Sequence, residues 1–133
     1  MNDSPTRAFE FSPVHKLLGF ELLERSERHA VIRMQPLPEH IQEEGVVQGG
    51  IVTALADATA VYITLPDLPA ARTMTSIEFK LNFLRPALLE AGELVARAET
   101  IQKGRTVVLA RSTVEQAGRE VATGLFTYLL LDR

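Results

Sequence analysis

The sequence predicts an α+β domain in which an antiparallel sheet wraps a long central helix. Three observations carry this. The stretch from Gly49 to Leu65 opens on a glycine pair and holds a single charge, Asp57. Apolar and polar residues alternate without a miss from Ser76 to Phe83, and three more strand-like segments follow, joined by short turns. One apolar helix beside a run of hairpin-linked strands is a two-layer arrangement, with the helix buried against one face of the sheet.

The 133 residues, 46% of them hydrophobic, suit one domain over 1–133, with about 1–18 as an N-terminal extension and short helix. A formal charge of −3 with cations scattered among acids leaves no basic footprint for nucleic acid. The absence of cysteine excludes disulfides, thiolate metal sites and cysteine nucleophiles. The start lacks the basic end and apolar core of a signal peptide, so a cytoplasmic location is expected. The apolar run 49–65 falls short of the ~20 residues that span a bilayer comfortably and carries an ionisable group at its middle, so a membrane helix is not expected.

In chain order, a helical turn is expected around Val14 to Leu18. Strands Phe20 to Arg25 and His29 to Gln35 flank the polar turn Ser26-Glu27-Arg28, and Pro36 and Pro38 end the second. A loop runs to Gln48. In Gly49 to Leu65 the β-branched residues favour strand while four alanines and Leu55 favour helix; length, and the stop at Pro66, decide for helix. After a loop at Pro66 to Ala71 comes the period-two strand from Ser76 to Phe83. Strands Glu93 to Gln102, Thr106 to Glu115 and Glu120 to Leu131 are separated by Lys103-Gly104-Arg105 and Gln116-Ala117-Gly118-Arg119, turns short enough to make these neighbours antiparallel.

Asp57 is the residue that asks for an explanation. A carboxylate among alanines and branched aliphatics loses hydration, which disfavours its charge unless a partner compensates. Such a group either satisfies a neighbouring donor or serves a site. The loop Gln42 to Gly50, which delivers free backbone N–H groups into a helix start, favours a site.

These residues resemble a known family, the hotdog-fold acyl-CoA thioesterases of the PaaI-like group. The resemblance rests on a polar amide, a glycine, a His-Gly-Gly and a helix carrying Leu-Ala-Asp. Here these stand as Gln42, Gly45, Gln48-Gly49-Gly50 and Leu55-Ala56-Asp57, with a second block over Ser76 to Pro86. It implies a thioester hydrolase with Asp57 as nucleophile or general base and the Gly49 N–H as oxyanion donor. Gln42 then orients water or the carbonyl, and Ser76 assists the water. By the same resemblance Lys103, Gly104, Arg105 and Thr106 contact coenzyme A, and Gly50 and Phe83 are counted with them. The alternating Phe79, Leu81 and Phe83 are expected as core or dimer contacts, Phe83 also serving the acyl pocket. The substrate is an acyl-CoA with a small aromatic or short to medium-chain acyl group. No metal or further cofactor is implied, and the partner is a second copy, as a homodimer or a homotetramer of two dimers.

One position departs from the pattern, because Gln48 stands where the family has histidine. An amide does not titrate, so no proton shuttle can run through residue 48. The departure keeps a second reading open, a non-catalytic acyl-CoA-binding or scaffold protein of the same fold.

Geometry adds its own argument for a dimer. Residues 49 and 57 are separated by roughly 12 Å along a helix rising ~1.5 Å per residue, so one carbonyl cannot lie within reach of both. If both act on one thioester, they come from two chains whose helices lie antiparallel. His15, His29 and His40 show no metal-ligand spacing and are expected at solvated or capping positions. A triad of Ser76, His40 and Asp57 lacks the Gly-x-Ser-x-Gly turn that would present the serine. Glu43 and Glu44 are expected to be solvated loop acids.

Overall fold

The computed structural model describes residues 12–133; the rest of the N-terminal extension lies outside the described residues. A short helix α1 (Pro13–Leu18) leads into strands β1 (Glu21–Arg25) and β2 (His29–Met34). The central helix α2 (Gly49–Thr64) follows a loop with 3₁₀ turns at Pro38–His40 and Glu43–Gly45. Four strands complete the chain, β3 (Arg72–Phe83), β4 (Leu94–Lys103), β5 (Val107–Gln116) and β6 (Arg119–Asp132). All pair antiparallel in the order β1-β2-β4-β5-β6-β3, with α2 lying on one face. This is the hotdog fold expected from the sequence.

The expected elements are present, with small shifts at their ends. β3 begins at Arg72 rather than Ser76, and Leu65–Asp67 continues α2 as a 3₁₀ turn. Arg25 terminates the helix: its guanidinium donates to the Tyr62 and Ile63 carbonyls at 2.7 and 2.8 Å and pairs with Asp67. A cation on the last carbonyls satisfies orphan acceptors and complements the helix dipole. Counted through Asp67, this run reaches the length and apolarity of a membrane span, but half of it is buried inside the protein. It is the core helix.

Small residues in the sheet let the helix come close. Along one rung, Ala30 pairs with Ala98, Ala98 with Ser112, and Ser112 with Gly124. Ser112 is fully buried and donates its hydroxyl to the Ala56 carbonyl at 3.0 Å, which docks the helix over this rung. Larger side chains flank the groove: Ile32, Met34, Leu94 and Val114 are fully buried, as are Leu55 and Ile63 of the helix. At Gly124 even a methyl group has no room, since a Cβ there would overlap the Lys80 carbonyl and Leu81 Cα of β3. Gly124→Ala is expected to cost on the order of 2–3 kcal/mol, a fall in Tm of about 6–10 °C in a thermal melt. An unchanged Tm would mean that β3 yields without cost.

β3 sits at the sheet's edge, and from Thr75 to Lys80 it is exposed on both faces. Ile77, Phe79 and Phe83 are each about half exposed, at 55%, 51% and 54%. A strand of this length and apolarity, with its outer N–H and C=O row open, is an edge that native proteins normally cover.

Candidate active site

The start of α2 is built by the loop before it. Gln42 N–H donates to Val46 O at 2.9 Å and Gln48 N–H to His40 O at 2.9 Å, closing a small hairpin whose tip is Glu44 and Gly45, both at positive φ. Gln48 is the N-cap, and its side-chain oxygen accepts from Ile51 N–H at 3.1 Å. Glutamine is an uncommon cap; here the longer side chain folds back to the third N–H of the helix. Gly50 makes room for it, since a Cβ at that position would lie 2.8 Å from the Gln48 side-chain oxygen. Gln48 therefore takes a structural duty at the helix start. The Gly49 N–H, as the first of the helix, has no intrahelical acceptor.

Gly49 lines a cavity of about 430 Å³ together with Gln42, Val46, Phe83, Arg85 and Val121, among others. The Phe83 ring stands over Gly49, its nearest carbon 3.4 Å from where a Cβ would be. One chain thus assembles an anion-favouring helix start, a side-chain amide and an aromatic wall. Asp57 is not among the cavity's lining residues.

Asp57 is half-buried further along α2, and its partner is Tyr128 of β6, whose hydroxyl donates to Asp57 Oδ1 at 2.7 Å. Tyr128 is 1% exposed, and burial, reinforced by the Asp57 charge, pushes its phenol far above the usual tyrosine range. It is a donor across the whole working pH range. Ser76 pairs directly with Tyr128 across the β3–β6 ladder, so its side chain shares the inner face with the phenol. The structure therefore joins Asp57 to Tyr128, with Ser76 the exposed ladder partner of that tyrosine, and sets Gln42, Gly49, Gln48 and Phe83 at another place. Tyr128 was not foreseen from the sequence. The signal was its place in the alternation Phe126, Tyr128, Leu130, an inward phenol that needs a polar partner.

Lys103, Gly104, Arg105 and Thr106 form the exposed β4–β5 turn. Two cations unmarked by the sequence join them: Arg72 reaches the Arg105 carbonyl at 3.4 Å, and Arg133 donates to the Arg72 carbonyl at 3.3 Å. Asp132 lies 3.5 Å from Arg72, leaving four cations against one acid at this end of the sheet.

Two of the three histidines sit at capping or solvated positions as expected, and His15 does not. His40 is 5% exposed and accepts from Leu37 N–H through Nδ1 at 3.0 Å, a capping role inside the protein. His15 packs on Phe20 and Tyr62, and burial holds it below the usual histidine range against the opposing pull of the Asp57 charge. His29 meets Glu24 and Ser26 on the outer face. Among the described residues no group of His, Asp or Glu side chains is placed to hold a metal ion. Glu43 and Glu44 are exposed, as expected.

Comparison with known proteins agrees with this architecture. A thioesterase-family protein from Silicibacter pomeroyi is 26% identical, with a TM-score of 0.86 over 97% of this chain and 96% of that one. A phenylacetic acid degradation-related thioesterase from Ralstonia eutropha shares the fold at 24% identity, TM-score 0.84, covering 94% and 98% of the two chains. A thioesterase from Haemophilus influenzae does so at 20% identity, TM-score 0.87, covering 99% and 93%. No curated protein matches significantly. The profile of the thioesterase superfamily matches residues 44–123, which include the helix start, Asp57, Ser76 and the β4–β5 turn. With more than half its length matched by that profile and its strand order and central helix shared with solved members, the chain belongs to the thioesterase superfamily.

Proposed function

We propose that this protein hydrolyses an acyl-CoA thioester to the free acid and coenzyme A, in the cytoplasm, as a homodimer or a pair of dimers. The carrying observation is the lone carboxylate of a buried helix, Asp57, held by a donated hydrogen bond within a thioesterase-superfamily fold. The thioester carbonyl oxygen takes the Gly49 N–H, where the helix dipole favours developing negative charge. Asp57 either attacks the carbonyl carbon or takes a proton from the water that does. The tetrahedral adduct collapses with cleavage of the C–S bond. On the base route Asp57 returns its proton to the sulfur; on the attack route the thiolate takes a proton from water and a second water then opens the acyl-Asp57 anhydride to give the free acid. Gln42 orients the water or carbonyl from the cavity wall, Ser76 holds the water on the carboxylate side, and Phe83 packs on the acyl end.

Two chains are needed because one chain's Gly49 and Asp57 are roughly 12 Å apart. The open β3 edge supports this, since a second copy joining there would cover Ile77, Phe79 and Phe83 and set two α2 helices antiparallel. Each helix start then faces the partner's carboxylate. Coenzyme A is part of the substrate, and no metal or further cofactor takes part in this scheme.

The cations at the β4–β5 turn suit the phosphates of coenzyme A. Lys103→Glu with Arg105→Glu is expected to raise KM for an acyl-CoA by about tenfold, while KM for the same acyl group on bare pantetheine stays within twofold. Equal changes on both substrates would remove the nucleotide from this turn. The function itself is tested by thiol release from a panel of aryl, short and medium acyl-CoA thioesters. Turnover names the acyl class, whereas silence across the panel with ligand binding intact establishes the binding-protein reading instead.

A further inference from the structure

We propose that Tyr128 is the positioning residue of the Asp57 carboxylate: its hydroxyl fixes Oδ1 and leaves Oδ2 to act on water or the thioester. The inference rests on the reading of Asp57 as the catalytic carboxylate. Three features of the contact support it. The phenol enters from β6 rather than from the helix, so it fixes the carboxylate rotamer from the opposite layer at 2.7 Å. It is almost wholly buried, so solvent does not compete for the bond. And it lies directly across the ladder from Ser76, so the strand that orients the carboxylate is registered against the strand that carries the water-assisting hydroxyl.

The chemistry of the bond follows. A donor to a carboxylate stabilises its charged form over its protonated form. The Asp57 charge is also felt by His15 of α1, which burial holds below the usual histidine range. Residue 48 is an amide spent on the helix cap, and the donor from β6 is the polar group that addresses Asp57 directly. Tyr128 does not touch the thioester in this scheme, so its removal acts on the turnover step more than on substrate binding.

The test is the pH profile of kcat/KM in the dimeric protein with Tyr128→Phe, and separately with 3-fluorotyrosine at position 128. Phenylalanine removes the donor, so the acid limb moves to higher pH by about one unit. At neutral pH kcat falls by about tenfold with KM within twofold of the native value. The more acidic fluorinated phenol is a stronger donor of the same shape and moves the limb to lower pH. Opposite movements in the two variants establish the positioning role, which mere space-filling does not produce. An acid limb unmoved in the fluorotyrosine protein, with Asp57→Asn inactive, overturns it; that variant preserves packing and reads out even if Tyr128→Phe fails to fold. Activity retained in Asp57→Asn overturns the assignment of Asp57 itself, and the proposal with it.

Discussion

Asp57→Asn is expected to reduce thioester hydrolysis by a factor of about 10³ or more in kcat, the scale of losing a positioned base or nucleophile. Its KM should change little. The fold should be unaffected, because the asparagine side-chain oxygen still accepts the Tyr128 hydroxyl and the half-buried position loses only a charge. The measurement is initial-rate thiol release beside a thermal melt and a sedimentation profile of the same sample. A native-like dimer with no turnover supports the assignment; a native-like dimer with more than a tenth of native turnover would sink it. A single turnover of the native enzyme in ¹⁸O-labelled water then separates the two roles. Direct attack followed by opening of the anhydride at the Asp57 carbon delivers one of the carboxylate's own unlabelled oxygens to the first product and label to Asp57, while base catalysis puts one label in the product and none in the protein.

The second large effect is expected from mixing two dead proteins. Gly49→Pro removes the oxyanion N–H, and its ring also presses on Phe83 and narrows the same site, while the helix is kept because proline is well accepted at its first position. Gln48, with ψ at 133°, already has the extended backbone that a residue before proline requires. Losing this donor alone should cost about 10²- to 10³-fold. If each site takes Gly49 from one chain and Asp57 from the other, a heterodimer of Gly49→Pro and Asp57→Asn carries one site with both defects and one with neither. Unfolding and refolding an equal mixture makes half of the dimers mixed, and each of these has one of two sites intact. Activity should therefore return to about a quarter of the native value. Mixed dimers that stay silent would place both groups of a site on one chain, contrary to the helical spacing.

Much of the site was legible because its parts are local in sequence. The loop Gln42 to Gly50, the helix start and the carboxylate fall within one continuous segment, and periodicity was enough to place each on its element. The separation of Gly49 from Asp57 followed from helical rise alone. The hairpin pairings β4–β5 and β5–β6 were legible from their turns, but how the hairpins and β3 join into one sheet was not. β3 follows the helix directly in sequence yet crosses to the far edge to pair with β6, while β4 pairs with β2. The Tyr128–Asp57 bond joins residues 71 positions apart, and only that strand order brings them together. His15 departed from expectation for a related reason: its ring packs on Tyr62, 47 positions along the chain, a contact that no local pattern announces.

By itself the sequence determined the element list, the burial of one helix against a sheet, and a lone carboxylate in need of a partner. These depend on hydrophobic period, turn residues and the cost of isolated charge, all properties of neighbours along the chain. The tertiary structure alone decided what the partner is, which oxygen of Asp57 it holds, and that β3 is left as an open apolar edge. Those outcomes depend on strand order and register, which many distant residues set jointly through packing of the helix into its groove of small side chains.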